Sequence, residues 1–123
     1  MGEMGRLVRS FGYAIEGIIY TIKTQRNMQI HVGVAIMVLL ASWLLNISWD
    51  HVLLVFFSIF LVLILEMVNT AVEATVDLVT PEYHPLAKVA KDVAAGAVLL
   101  AAILSLIVGC YVFGGPLLQV LHI

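Results

Sequence analysis

Residues 51–79 read HVLLVFFSIFLVLILEMVNTAVEATVDLV, and this stretch decides the fold. Val52 to Leu65 carries no charge. An uncharged run of that kind, followed by more helical sequence, is what a membrane-spanning helix needs. The helical periodicity does not stop at Leu65. It continues through Glu66, Asn69, Thr70, Glu73 and Asp77 to about Val79, where Thr80-Pro81 and Pro85 break it. Glu66, Asn69, Glu73 and Asp77 are spaced by three, four and four residues, so they share one stripe of the helix.

Working outward, His31–Ser48 forms a second apolar segment, with no charge from Val32 to Leu45 and with Trp43 and Trp49 near its end. Indole rings favour the membrane interface. Asn46–Asp50 reads as a short turn, with Asp50 as a helix start. A third apolar segment opens near Leu86 with Lys88, Lys91 and Asp92, then runs apolar from Val93 to Phe113. Gly114-Gly115-Pro116 is expected to end it. Before all three lies Glu3–Thr24. Its Leu7, Phe11, Ile15, Ile18 and Ile22 form a helical stripe flanked by Arg6, Arg9, Glu16 and Lys23. That pattern suits a helix lying in the membrane interface. The expected elements are a surface helix at about 4–24 and spans at about 28–48, 51–79 and 86–113, in one domain covering residues 1–123.

Composition agrees. The chain has 123 residues, of which 63% are hydrophobic and 11% charged, with a mean hydropathy of +1.10. Soluble domains carry about a quarter charged residues, so a cytosolic globule and a disordered chain are both excluded. Six Lys/Arg against eight Asp/Glu give a net charge of −2, which argues against nucleic acid as a partner. A single cysteine, Cys110, excludes an intrachain disulfide and reads as a buried, inert thiol. No short apolar core with a cleavage site follows Met1–Ser10, so a cleaved signal peptide is not expected. All six basic residues fall before the first span or at the 80–92 connection. The positive-inside rule then places both in the cytoplasm and the C-terminus outside.

The acidic stripe is where chemistry is expected. Glu66 lies about 14 residues, or roughly 21 Å, beyond Val52. In a hydrocarbon core about 30 Å thick, that is inside the membrane near its cytoplasmic edge, with Glu73 at the interface. A carboxylate at that depth is costly and normally has a function. The Lys88, Lys91 and Asp92 cluster meets the same edge. Carboxylate oxygens suit Mg²⁺ and lysine suits phosphate, so the two clusters together fit a metal with a polyphosphate. Lys88 alone reads as a snorkelling helix-end lysine. Standard nucleotide motifs are missing. Gly17–Thr24 has Ile22 where a phosphate loop needs its second glycine. His31, His51 and His122 are scattered at span ends, and only His84 lies near the acids in sequence, so a zinc site is not expected.

At Glu66–Asp77, EMVNTAVEATVD, the chain resembles the prokaryotic diacylglycerol kinase family of small integral-membrane lipid kinases. The resemblance continues through Glu82-Tyr83-His84 and Ala90-Lys91-Asp92 and includes Arg6 and Gly12-Tyr13. Arg26–His31 and His84–Asp92 look more like its Gram-positive branch, whose members act as undecaprenol kinases. The resemblance implies an all-α homotrimeric bundle in the bacterial inner membrane. Each subunit has one amphipathic surface helix and three transmembrane helices, and active sites are shared between subunits. By position it implies Glu66 as general base on the lipid hydroxyl, with Asn69 helping to hold it, and Glu73 as a ligand of the Mg²⁺ that accompanies ATP. It places Lys91 and Asp92 on the nucleotide. Arg6, Tyr13, Glu82 and His84 line the nucleotide or headgroup region, with Ser10 and Arg6 towards the lipid. The family pattern has a glutamate before the first span that contributes to metal binding, and Gln25 stands there in this chain. One neutral amide oxygen in place of a carboxylate should weaken metal binding.

The expected function is therefore ATP-dependent phosphorylation of a membrane alcohol, with undecaprenol first and diacylglycerol second. A small proton-coupled transporter subunit would also use Glu66, but it favours acids at the bilayer midplane. The middles of the first and third spans carry no charge.

Overall fold

A computed structural model describes residues 2–122, which form four helices and the short connections between them. They are α1 (Glu3–Thr24), α2 (Arg26–Leu44), α3 (Trp49–Val79) and α4 (Pro85–Val120). The last three are long and apolar enough to cross a membrane, and α1 is not. Helix α3 is the organising element. α1, α2 and α4 each pack on it, α4 most extensively, whereas α2 and α4 do not pack on each other. The core is correspondingly thin: Met28, Ala35, Val55, Val62, Val98, Ala101 and Val112 are its buried apolar side chains. Large apolar residues such as Phe57, Leu100 and Leu106 stay exposed, as hydrocarbon-facing surface does.

The connections show why the chain turns where it does. Gln25 alone separates α1 from α2, in an extended conformation with φ −104° and ψ 115°. The Gln29 amide Nε2 donates to Ile22 O at 3.0 Å and Lys23 O at 3.3 Å, which satisfies carbonyls left over at the end of α1. Glu3 in its first turn and Lys23 in its last complement the helix dipole. Helix α2 stops at Leu44, short of the expected residue 48, because Asn46 turns left-handed with φ 51°. The Asn46 N–H donates to Trp43 O and the Ile47 N–H to Ser42 O, the hydrogen-bond pair of a Schellman cap. That tight cap lets α3 begin at Trp49, with Asp50 in its first turn. At the other end Thr80 leaves the helix and its hydroxyl donates to Glu82 O at 3.1 Å. The His84 Nδ1 accepts from the Leu86 N–H at 3.1 Å, and Pro85 opens α4 with its preset φ.

Two expectations are corrected. Helix α4 does not end at Gly114 but runs through Pro116 to Val120. Neither Gly114 nor Gly115 takes a positive φ, so neither supplies the left-handed cap that would end a helix. In apolar surroundings freed backbone groups have no water to turn to, so losing one hydrogen bond at Pro116 costs less than ending the helix. Cys110 is exposed on α4 and not buried, because the apolar run it belongs to faces outward along much of its length.

Small residues set the α3–α4 contact. The Ser105 hydroxyl lies 3.0 Å from Ala101 O within its own helix and 3.4 Å from Ser58 O across the interface. Close approach of this kind is how membrane helices associate when burying apolar area brings no advantage over lipid. Ala101→Leu should therefore lower stability by about 1–3 kcal/mol through overpacking. The readout is the thermal unfolding midpoint in detergent. An unchanged midpoint would mean that α3 and α4 are not in close contact there.

Candidate active site

The acids on α3 differ sharply in environment. Glu66 is 2% exposed and is among the most completely buried side chains in the protein. Asn69 is also buried, and its Nδ2 donates to Glu73 Oε1 at 3.3 Å, four residues on. The Thr70 hydroxyl returns to Glu66 O at 2.9 Å. Two atoms of this group, Glu66 Oε2 and Asn69 Oδ1, are buried without a hydrogen-bond partner among the described residues. Buried polar atoms are nearly always paired, so two orphans within one turn mark a site prepared for something else.

Helix α2 adds a residue that sequence spacing did not connect to the acids. His31 Nε2 lies 3.9 Å from Glu66 Oε2. The expectation that only His84 sits near the acids is thereby corrected. Sequence distance concealed the pair, because His31 comes alongside Glu66 only when α2 packs antiparallel on α3. His84 serves locally as the N-cap of α4.

One turn beyond Glu73, Asp77 faces α4. Lys91 Nζ contacts Asp77 Oδ1 at 2.6 Å, and Lys88 pairs with Asp92 along α4. Asp77 thus ties α3 to α4 through Lys91. A cleft of about 360 Å³ opens beside this pair, and Asp77, Glu82, Tyr83, His84, Lys91 and Asp92 are among its lining residues. The structure therefore brings Glu82, His84, Lys91 and Asp92 together around one polar cleft. It leaves Arg6, Ser10 and Tyr13 exposed on α1, with no hydrogen bond or ion pair to the α3 acids among the described residues. Gln25 sits half-buried at the α1–α2 break, its Nε2 donating to Thr24 Oγ1 at 3.1 Å.

Among the described residues no three His, Cys, Asp or Glu side chains converge on one metal position. Mg²⁺ does not require that, since it is commonly held by one or two carboxylates with water and substrate phosphates. The Glu73 carboxylate and the unpartnered Oδ1 of Asn69, whose Nδ2 contacts it, are oxygen donors of the kind such a cation takes.

The model of the prokaryotic diacylglycerol kinase family matches residues 12–113. The undecaprenol kinase of Bacillus subtilis (strain 168) is 44% identical over 111 residues, covering 90% of both chains. A diacylglycerol kinase of Synechocystis is 47% identical over 116 residues, which span 94% of this chain and 66% of that longer relative. The diacylglycerol kinase of Escherichia coli (strain K12) is 38% identical over 106 residues, 85% of this chain and 86% of its own.

The orphaned oxygens make a stability prediction. Asn69→Leu removes a buried, unpartnered carbonyl oxygen at similar volume, together with the long 3.3 Å bond from Nδ2 to Glu73. The first effect is the larger, so stability should stay unchanged or rise by about 1 kcal/mol, read as an unchanged or higher thermal unfolding midpoint. A clear drop in detergent melting would mean that this oxygen has a partner in the folded protein.

Proposed function

The chain belongs to the prokaryotic diacylglycerol kinase family and is a lipid kinase acting on a membrane alcohol; from that premise we propose that undecaprenol is its preferred acceptor and Glu66 its general base. The observation that carries the proposal is Glu66 itself, buried in a helix long and apolar enough to cross a membrane, with Oε2 unpartnered among the described residues. A lipid hydroxyl arriving laterally from the bilayer and a nucleotide arriving from water meet only at the interface, and Glu66 and Glu73 span that boundary.

In this reading Glu66 accepts the hydroxyl proton as the lipid oxygen attacks the γ-phosphate and ADP leaves. Asn69 holds Glu73 and borders the base. Glu73, with a weak contribution from Gln25, holds Mg²⁺, which when bound neutralises phosphate charge. Lys91 exchanges its contact with Asp77 for phosphate, and Asp92, Glu82 and His84 border the nucleotide. Phosphoryl transfer depends mostly on positioning and charge stabilisation, and these residues supply both.

Arg6, Ser10 and Tyr13 complete the site on the nucleotide and headgroup side when contributed by a neighbouring copy. The proposed assembly is accordingly a homotrimer with shared sites. The proposed setting is the bacterial inner membrane, with the N-terminus and the 80–92 connection cytoplasmic and the C-terminus outside. Similarity to the undecaprenol kinase over 90% of both chains supports the acceptor. The 47% identity to a diacylglycerol kinase favours the second reading, in which diacylglycerol is the acceptor and the mechanism is the same.

Three measurements test this. With purified protein, labelled MgATP and both lipids in competition, label should pass mainly to undecaprenol; preferential labelling of diacylglycerol would replace the acceptor. Glu66→Gln should lower kcat by roughly 10²–10⁴-fold while MgATP binding and folding persist. Retained turnover in that variant would remove Glu66 as the base. Gln25→Glu should lower the Mg²⁺ concentration giving half-maximal activity, and no change would place Gln25 outside the metal site.

A further inference from the structure

We propose that His31 is the proton exit of the active site, taking the proton that Glu66 gains at each turnover and releasing it to water. The inference rests on Glu66 being the base and adds what happens after the transfer step. A base that is 2% exposed cannot hand its proton directly to solvent, yet it must lose it before the next turnover. The Glu66 Oε2 has no hydrogen-bond partner among the described residues, and His31 Nε2 lies 3.9 Å from it. That separation exceeds an N–H···O hydrogen bond and is closed by a small side-chain rotation. The His31 side chain is 25% exposed against 3% for Glu66, and it stands five residues into α2, roughly 7.5 Å from the end that the charge pattern places at the cytoplasmic edge, so the imidazole lies between a sealed carboxyl and that aqueous edge.

The surroundings leave His31 as the acceptor. It lines a groove of about 810 Å³ between α2 and α4, over α3, whose other walls are almost wholly apolar. The hydroxyl protons of Ser58 and Ser105 in that groove are already given to backbone carbonyls. The groove wall from α4 contributes no Asp, Glu, Lys, Arg or His. On α3 the next ionisable group is Glu73, two turns away and bonded to Asn69. On α2, Arg26 remains protonated and accepts nothing.

The steps balance. The lipid O–H bond breaks as its oxygen bonds to the γ-phosphorus, and the bond from that phosphorus to the bridging oxygen breaks to release ADP. The proton goes to Glu66. It then passes to the lone pair on His31 Nε2, which restores the carboxylate and leaves an imidazolium. The imidazolium loses a proton to water. His31 acts through Glu66 and makes no contact with the substrate.

The test is His31→Gln, which keeps polarity and approximate reach but carries no proton. In a rapid-quench assay with MgATP and either lipid, the first turnover should keep the wild-type rate, because no proton has to leave the site before it. Later turnovers should slow by on the order of 10²-fold, giving a burst of one product per site. The KM values for ATP and lipid should hold, and added imidazole should restore the steady state. A first turnover slowed along with the rest, or no rescue by imidazole, would make His31 structural and overturn the proposal. So would an unchanged steady state. Should the variant not fold, the wild type decides: in D₂O the steady-state rate should fall more than the first turnover, and equal effects overturn the proposal. Failure of the underlying reading looks different, since the wild type then phosphorylates neither lipid or Glu66→Gln stays active.

Discussion

Everything in this structure is arranged around one carboxyl group buried in an apolar helix. An acid at bilayer depth costs about 2.5–3.5 kcal/mol even by the lenient insertion scales. Lengthening α3 by a few residues before Glu66 would not remove that cost, because α3 must also carry Asn69, Glu73 and Asp77 out to the aqueous edge. The protein instead shields Glu66 on the α2 side with His31 and binds the far end of the helix to α4 through Asp77 and Lys91. Helix α3 is 31 residues long, roughly 46 Å, and a hydrocarbon core is about 30 Å thick. The excess is the part that carries Glu73 and Asp77.

The same constraint explains the division of labour among the polar side chains. Serines and threonines along the helices return their hydroxyls to the preceding turn, as Thr21 does to Gly17 O and Ser42 to Val38 O. They are satisfied and ask nothing of their neighbours. Among the described residues, Glu66 and Asn69 are the buried side chains that leave an oxygen without a partner. Unmet polar capacity confined to one turn, in a protein that satisfies polar groups elsewhere, is a stored cost that a bound reactant can relieve.

Much of this was legible in the sequence. Element order, the apolar spans and the acidic stripe all follow from periodicities of three and four residues, which are local and survive any tertiary arrangement. The ends of helices were less legible. Asn46 and Gly114 both read as punctuation, yet only Asn46 turns left-handed; the difference lies in what each freed backbone group meets, and sequence does not state that. His31 was illegible for a further reason. Its partner is 35 positions away, and no spacing rule relates two helices before their packing is known. Lys91 lies in between: charge placed it at the right edge, but only the fold chose Asp77 over Asp92 as its partner.

A single chain, finally, does not account for all its own residues. Arg6, Ser10 and Tyr13 stand on a helix that touches α2 and α3 but not α4, the helix that supplies Lys91 and Asp92 to the cleft. The large groove between α2 and α4 is open because those helices never meet. In water such an apolar groove would be a liability, whereas in a bilayer it is neutral until another apolar surface of better fit arrives. Lipid tails and neighbouring helices of the proposed homotrimer compete for it on packing alone. The polar end of the groove is different, because His31 gives it a proton-accepting group that lipid tails and apolar helices lack. Whatever occupies the apolar length, Glu66 and His31 come from α3 and α2 of one chain, so the proposed base and the proposed proton exit share a subunit even where nucleotide contacts are shared.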